Sequence, residues 1–303
     1  MPLSPHVIAL ASALCSAVAT ILIQRGLRRS NFYAGFWINV LVGAIGLWSA
    51  VLLFVPREAY SWRAVPYFVL SGVAGTSAGR LTRVIAIEKV GAPVAASIGN
   101  LTPLIAAGLA ILLLGEHVTL PIVTGTVVIV FGTVLLSQSG KHVGFHPRHL
   151  VYPFVSASCF AVVAIIRKLG LTHAGPLFGS AVNMAAAMVA STAFVLATGN
   201  RGALRCEPRS LLYFAAAGVC ENTGVVLFLL ALGLGEVSVV TPLAGAAPLF
   251  VLVLAFLFPG AAGKLSWRVV MGAVLIVLGV FLLTGWRLGG AVTGPPPFET
   301  PYR

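Results

Sequence analysis

GAPVAASIGNLTPLIAAGLAILLLGEHVTLPIVTGTVVIVFGTVLL, residues 91–136, holds two apolar runs around a short polar break at Gly115-Glu116-His117. Each run is about 20 residues long, the length that crosses a hydrocarbon core of roughly 30 Å. Pro103 falls inside the first run. A membrane helix tolerates such a proline when its neighbours satisfy the carbonyl it frees. The pattern returns in residues 236–283, EVSVVTPLAGAAPLFVLVLAFLFPGAAGKLSWRVVMGAVLIVLGVFLL. Pro103 aligns with Pro248, and Gly125 and Gly132 align with Gly272 and Gly279. Whole helices restated in order are the mark of a membrane fold built from internal repeats.

Composition agrees. Of the 303 residues 59% are hydrophobic and 9% charged, where soluble domains carry about 25% charged residues. The chain reads as an all-α polytopic membrane protein, located in the cell (inner) membrane. Its seven acidic residues are all Glu. That argues against two-carboxylate metal sites and aspartate dyads. The net charge of +12 is spread over short loops, which suits anionic lipid head groups and not nucleic acid. Cys15, Cys159 and Cys220 lie inside apolar runs and Cys206 near a loop, so packing roles are expected and no disulfide framework. The first apolar run, Val7 to Ile23, lacks a basic leader and recurs at 151–166. It is read as a membrane helix and not as a signal peptide.

Ten apolar runs follow one another, near 6–24, 32–55, 65–87, 92–114, 119–137, 149–167, 175–198, 210–231, 236–258 and 266–286. Residues 12–27 and 156–171 are identical at eight of sixteen positions with an offset of 144. Gly35 and Asn39 align with Gly179 and Asn183, and Tyr67-Phe68 with Tyr213-Phe214. The expected units are therefore five-helix repeats at 1–140 and 141–290, with a flexible Gly/Pro-rich tail at 291–303. Five is odd, so the second copy enters the membrane the other way: ten transmembrane helices as a 5+5 inverted repeat.

The run from Thr102 to Leu136, the Gly115-Glu116 pair after the fourth helix, and PLAGAAPLFVLVLAFLF with GAVLIVLGVFLL in the second half resemble the drug/metabolite transporter superfamily, EamA type. The resemblance spans roughly residues 6–286 and implies the ten-helix inverted fold. It also implies a central cavity bounded by the first, third, fourth, sixth, eighth and ninth helices, and both termini in the cytoplasm. The second half departs from the pattern, with Pro259-Gly260 where Gly-Glu is expected. Loop charges favour the opposite orientation, with Arg167 and Lys168 among the few counted on the cytoplasmic side.

A charge at membrane depth costs about 2.5 kcal/mol or more, so each needs a reason. Arg80 and Arg83, with Thr76, stand at i, i+4 and i+7 on the third helix, which would put them on one face beside a ridge of Gly72, Gly75 and Gly79. Arg80 and Arg83 suit an anionic substrate group; for Arg83, near the helix end, snorkelling to the interface is the plainer reading. Glu221, deep in the eighth helix, breaks the repeat, since Gly75 holds the matching position. It could bind a cationic group, carry a coupled proton, or neutralise Arg80 in a buried pair. The repeat-matched Asn39 and Asn183, together with Asn100 before Pro103 and Asn222 after Glu221, complete the candidate substrate-binding set. Interhelical hydrogen bonding is the plainer reading of the two matched amides. Pro103, Pro242 and Pro248 each free a carbonyl one turn back, which marks either a kink or a polar subsite. Ser12, Ser16 and Thr20 suit a cavity wall or helix packing. Glu116 and His117 are expected to be solvated.

The sequence holds no HExxH, GxSxG, Walker A or cysteine cluster. His142, His146 and His149 share one loop, which is read as solvated, with no metal site. No cofactor is expected. The function that fits is a secondary active transporter moving a small polar or amphipathic metabolite, amino-acid-like or drug-like, with or without a coupled proton. The alternatives are a membrane-embedded enzyme and a non-transporting structural or lipid-handling bundle.

Overall fold

A computed structural model describes residues 4–137, 146–197, 206–257 and 267–285. Among the described residues, ten long helical segments run in chain order, besides the short turns Arg57–Ala59 and Pro147–Leu150. They are α1 (Pro5–Gly26), α2 (Phe32–Phe54), α3 (Val65–Ser71, Gly72–Gly79 and Arg80–Val90, continuous) and α4 in two halves (Ala92–Gly99 and Thr102–Leu114). Then come α5 (Leu120–Ser137), α6 (Val151–Gly170), α7 (Pro176–Ala197), α8 (Pro208–Leu234), α9 in two halves (Val237–Ala244 and Ala247–Leu257) and α10 (Trp267–Gly285). The described residues contain no strand. The expected tail, His142 and the Pro259–Lys264 loop lie outside the described residues.

Local chemistry sets several ends. Ser4 and Asn31 cap α1 and α2, their side-chain oxygens accepting from the amides of Val7 (3.4 Å) and Ala34 (2.9 Å). Gly115 ends α4 at φ 65°, the left-handed conformation that a side chain disfavours. Among the described residues, seven helices are long and apolar enough to cross a membrane, while α5 and α10 are apolar over the shorter stretches Leu120–Leu136 and Val270–Leu283. The remaining one, α3, carries Arg80, Arg83 and Lys89. Large apolar side chains face outward, Leu112 at 80% and Phe281 at 65% exposure, as lipid-facing surfaces do. Ser12, Asn39, Ser71, Thr76 and Asn183 are buried inside.

The halves are inverted. Along α5 and α10, Gly125 lies against Gly279 and Gly132 against Gly272, so the two repeat-equivalent helices cross antiparallel. The equivalents α2 and α7 do the same. Trp37 Nε1 donates to Thr192 Oγ1 at 3.2 Å, while Trp48 meets Phe178 edge-on. The matched glycines of α5 and α10 thus serve close helix packing, as their spacing suggests.

Each half also inserts a phenylalanine into the other. Phe68 of α3 seats against Gly170 of α6 and Gly179 of α7; Phe214 of α8 seats against Gly26 of α1 and Gly35 of α2. Both rings are fully buried. These contacts map onto one another under the repeat, residue for residue.

The third helix differs from expectation. Gly72–Gly79 is a π segment, with more residues per turn than the 3.6 assumed in placing Thr76, Arg80 and Arg83 on one face. Thr76 consequently turns to α7 and Arg80 to α8, while Arg83 is exposed. The glycine ridge does make close contacts: Gly72 with Asn183, Gly75 with Val163 and Gly79 with Phe160. On α1, Ser12 donates to the Gly224 carbonyl at 2.8 Å, so this part of the hydroxyl row packs α1 on α8.

Candidate functional site

Two polar clusters lie between the halves, related by the repeat. In the first, Arg80 Nη2 donates to Glu221 Oε1, and Asn39 Nδ2 donates to Glu221 Oε2 at 2.6 Å. The Arg80 guanidinium also stands 5.8 Å from the centre of the Phe36 ring. Asn222 Nδ2 donates to the carbonyls of Gly218 (2.7 Å) and Asn39 (3.4 Å). Arg80 and Glu221 are each 21% exposed, so the ion pair removes two charges that would be costly apart.

The second cluster is built around Asn183, the repeat partner of Asn39. Ser71 Oγ donates to Asn183 Oδ1 at 2.7 Å, and Asn183 Nδ2 donates to Thr76 Oγ1 at 3.2 Å. Arg167 Nε donates to Ser71 Oγ at 2.7 Å, and its Nη2 to Asn183 Oδ1 at 3.2 Å. Gly75 takes the place that Glu221 holds in the first cluster. The second cluster therefore carries a guanidinium and no carboxylate.

Arg167 borders a cavity of about 230 Å³ between the halves. Its polar lining includes Asn100, Thr102, Thr133 and Thr241, and its apolar wall includes Phe160, Val163 and Phe228. The cavity sits where α4 breaks after Gly99 and α9 breaks after Ala244. Pro103 and Pro248 have no N–H to give the carbonyls four residues back, those of Gly99 and Ala244, and both of these residues line the cavity. Thr102 Oγ1 answers the Gly99 carbonyl at 2.7 Å. The helices represented are α4, α5, α6, α8 and α9; the expected set included α1 and α3 and omitted α5.

Of the eight side chains singled out from the sequence, Asn100 lines this cavity. Arg80, Glu221, Asn39 and Asn222 form the first cluster, Asn183 and Thr76 belong to the second, and Arg83 has no hydrogen-bond partner among the described residues.

Three residues were misplaced by sequence reasoning. Arg167 and Lys168, counted as loop charges, point inward. Lys168 Nζ donates to the carbonyls of Leu232 (2.5 Å) and Gly235 (2.7 Å), closing the end of α8. Glu116, expected to be solvated, caps α9. Its two oxygens accept from the amides of Val237 (2.7 Å) and Ser238 (3.0 Å). A signal for the first two was present. Their repeat partners are Ile23 and Gln24, the same break in symmetry that drew attention to Glu221. The described residues contain no group of His, Cys or Glu able to hold a metal ion, and all four cysteines are free.

The EamA-like transporter family model matches residues 3–138 and again 149–285. The chain belongs to the EamA-like transporter family. It is thus a multi-pass membrane transporter of the drug/metabolite transporter superfamily, with a small molecule and the lipid bilayer as partners. A solved crystal structure matches the fold with a TM-score of 0.76, covering 93% of this chain and 96% of its own, at 19% identity. No match was found among curated proteins. The two family matches fall on the two antiparallel halves, so each EamA-like unit supplies one half of the cavity wall: α4 and α5 from the first, α6, α8 and α9 from the second.

Proposed function

We propose that this EamA-like chain is a secondary active transporter for a small polar or amphipathic metabolite, working in the cell (inner) membrane. The units that rock against each other are residues 1–140 and 141–290. The observation that carries this reading is the cavity at two repeat-matched helix breaks. Broken helices at the interface of inverted repeats supply freed backbone groups where a substrate sits, and rocking of the halves exposes that point to each side in turn.

Within this reading Asn100 contacts substrate directly. Asn39, Asn222, Asn183 and Thr76 set the polar clusters on either side, and Arg83 guides the approach of charged solutes. Glu221 is the coupling group. Its carboxylate holds partners from both α2 and α3, so movement of one half changes its solvation and the distance to Arg80. Because Glu221 belongs to the second half while Asn39 and Arg80 belong to the first, rocking of the halves makes and breaks these contacts, which is what a coupling group requires.

The test is transport in proteoliposomes, scored first with a metabolite panel and then with Glu221→Gln. Wild type should accumulate substrate under a pH gradient and also exchange preloaded substrate. Glu221→Gln should lose accumulation while keeping exchange. Equal loss of both activities, or an unchanged response to pH, would remove Glu221 from the coupling role. Absence of any exchange by wild type across the panel would count against transport through this cavity.

A further inference from the structure

We infer that the cavity at the α4 and α9 breaks takes an organic anion, with its carboxylate on Arg167 and its apolar body against Phe160, Val163 and Phe228. This rests on the proposed reading that the cavity is the transport site, and it adds the class of substrate.

The argument begins with charge. Arg80, also between the halves, is neutralised by Glu221. Arg167 has no carboxylate partner among the described residues; its bonds go to the neutral Ser71 and Asn183. Those bonds use Nε and Nη2 and fix the plane of the guanidinium, while Nη1 makes no hydrogen bond within the described residues. A fixed guanidinium edge with free donors is the natural receptor for a carboxylate. An unneutralised cation inside a membrane protein is expensive, so an arriving anion relieves a penalty as well as making bonds.

A second observation is independent of the first. Thr241 also lines the cavity, is 8% exposed, and its hydroxyl has no partner among the described residues. A buried hydroxyl without a partner is uncommon, and it supplies a further donor at the α9 break. Asn100, Thr102 and Thr133 add polar groups, and Phe160, Val163 and Phe228 form the apolar wall. The cavity, about 230 Å³, lies below the roughly 300–1,000 Å³ range of drug-sized pockets, so the body it holds is small, on the scale of one ring with a short chain. No acidic side chain is among the cavity-lining residues described. An ammonium group therefore gains no ion pair there, and an amino group is dispensable.

The experiment is equilibrium binding to the full chain in nanodiscs, with four probes that share one body: 3-phenylpropionate, its neutral amide, the cationic amine 3-phenylpropylamine, and the zwitterion phenylalanine. The acid should bind at least about 10-fold tighter than the amide, and the amine weakest; the zwitterion should gain no more than about 3-fold over the acid. Those spans fit one charge-assisted pair gained or lost. Arg167→Gln should abolish the preference for acid over amide, and Arg167→Lys should keep part of it. Thr241→Val, which leaves the Arg167 scaffold intact, should weaken the acid about 3-fold or more and serves should Arg167→Gln fail to fold. Equal binding of acid and amide by wild type, a preference for the amine, or an acid preference that survives both Arg167→Gln and Thr241→Val overturns the inference. Counterflow of the bound probe separates the two ideas. Selective binding of the acid without counterflow keeps the anion site and rejects the transport reading; counterflow of amide or amine with no Arg167 effect does the reverse.

Discussion

Adding one methyl group at Gly179 is the most direct test of how the two halves interlock. A Cβ built there would lie 2.3 Å from Cζ of Phe68, 2.6 Å from Cε1 and 2.7 Å from Cε2. Ordinary carbon contact begins near 3.5 Å, so the ring must withdraw by about 1.2 Å. It has nowhere to go: Phe68 is fully buried, and Gly170 already approaches the same ring at 3.0 Å from its would-be Cβ. Overpacking of this kind costs about 1–3 kcal/mol, against which the helical gain of alanine over glycine returns up to about 1. The mirror position is milder, with the nearest Phe214 atom 2.7 Å from a Cβ at Gly35. Gly46 and Gly108 have nothing within 4 Å and serve as controls. Equilibrium unfolding in mixed micelles should rank Gly179→Ala as the most destabilised, by about 1–2 kcal/mol net, then Gly35→Ala, with Gly46→Ala and Gly108→Ala neutral or slightly stabilised. Phe68→Leu should cost stability alone yet less in the Gly179→Ala background, giving a coupling energy of about 0.5 kcal/mol or more. If Gly179→Ala behaves like Gly108→Ala and shows no coupling to Phe68, the phenylalanine exchange between halves is not what holds them in register.

The Arg80–Glu221 pair should behave as a unit. Arg80→Gln alone leaves a part-buried carboxylate unpaired and should lower unfolding stability by about 3 kcal/mol, the lower end for buried pairs because each side chain retains 21% exposure. Arg80→Gln with Glu221→Gln should regain at least half of that loss without regaining pH-driven accumulation; stability losses that simply add would exclude the pairing. Glu116→Ala removes two charge-assisted hydrogen bonds from the start of α9 and should cost about 1.5–3 kcal/mol, with Glu116→Gln milder. Hydrogen exchange should quicken first at the amides of Val237 and Ser238, and unchanged protection there would show that the cap carries no weight.

Much of this protein is written in properties that add up along the chain. Membrane insertion depends on the summed hydropathy of about 20 residues, so ten crossings were legible without knowing any contact. Repeat matches such as Phe68 with Phe214 and Pro103 with Pro248, with five helices per copy, then require inversion. The helix breaks at the cavity follow from proline's missing N–H, a local fact. The pairing of Arg80 with Glu221 was foreseeable because neither charge is tolerable alone at that depth. The broken repeat marks Arg167 and Lys168 as unusual, but which groups they and Glu116 reach was decided by tertiary structure. Each stands near a helix end, where a long side chain can turn either to the interface or back toward the protein, and the sequence is the same in both cases. The neighbours decide: Ser71 and Asn183 for Arg167, the open carbonyls of α8 for Lys168, the open amides of α9 for Glu116. The face of α3 was likewise beyond reading, because a π segment forms when packing favours an extra residue in the turn, and one such turn moves every later side chain to a new direction.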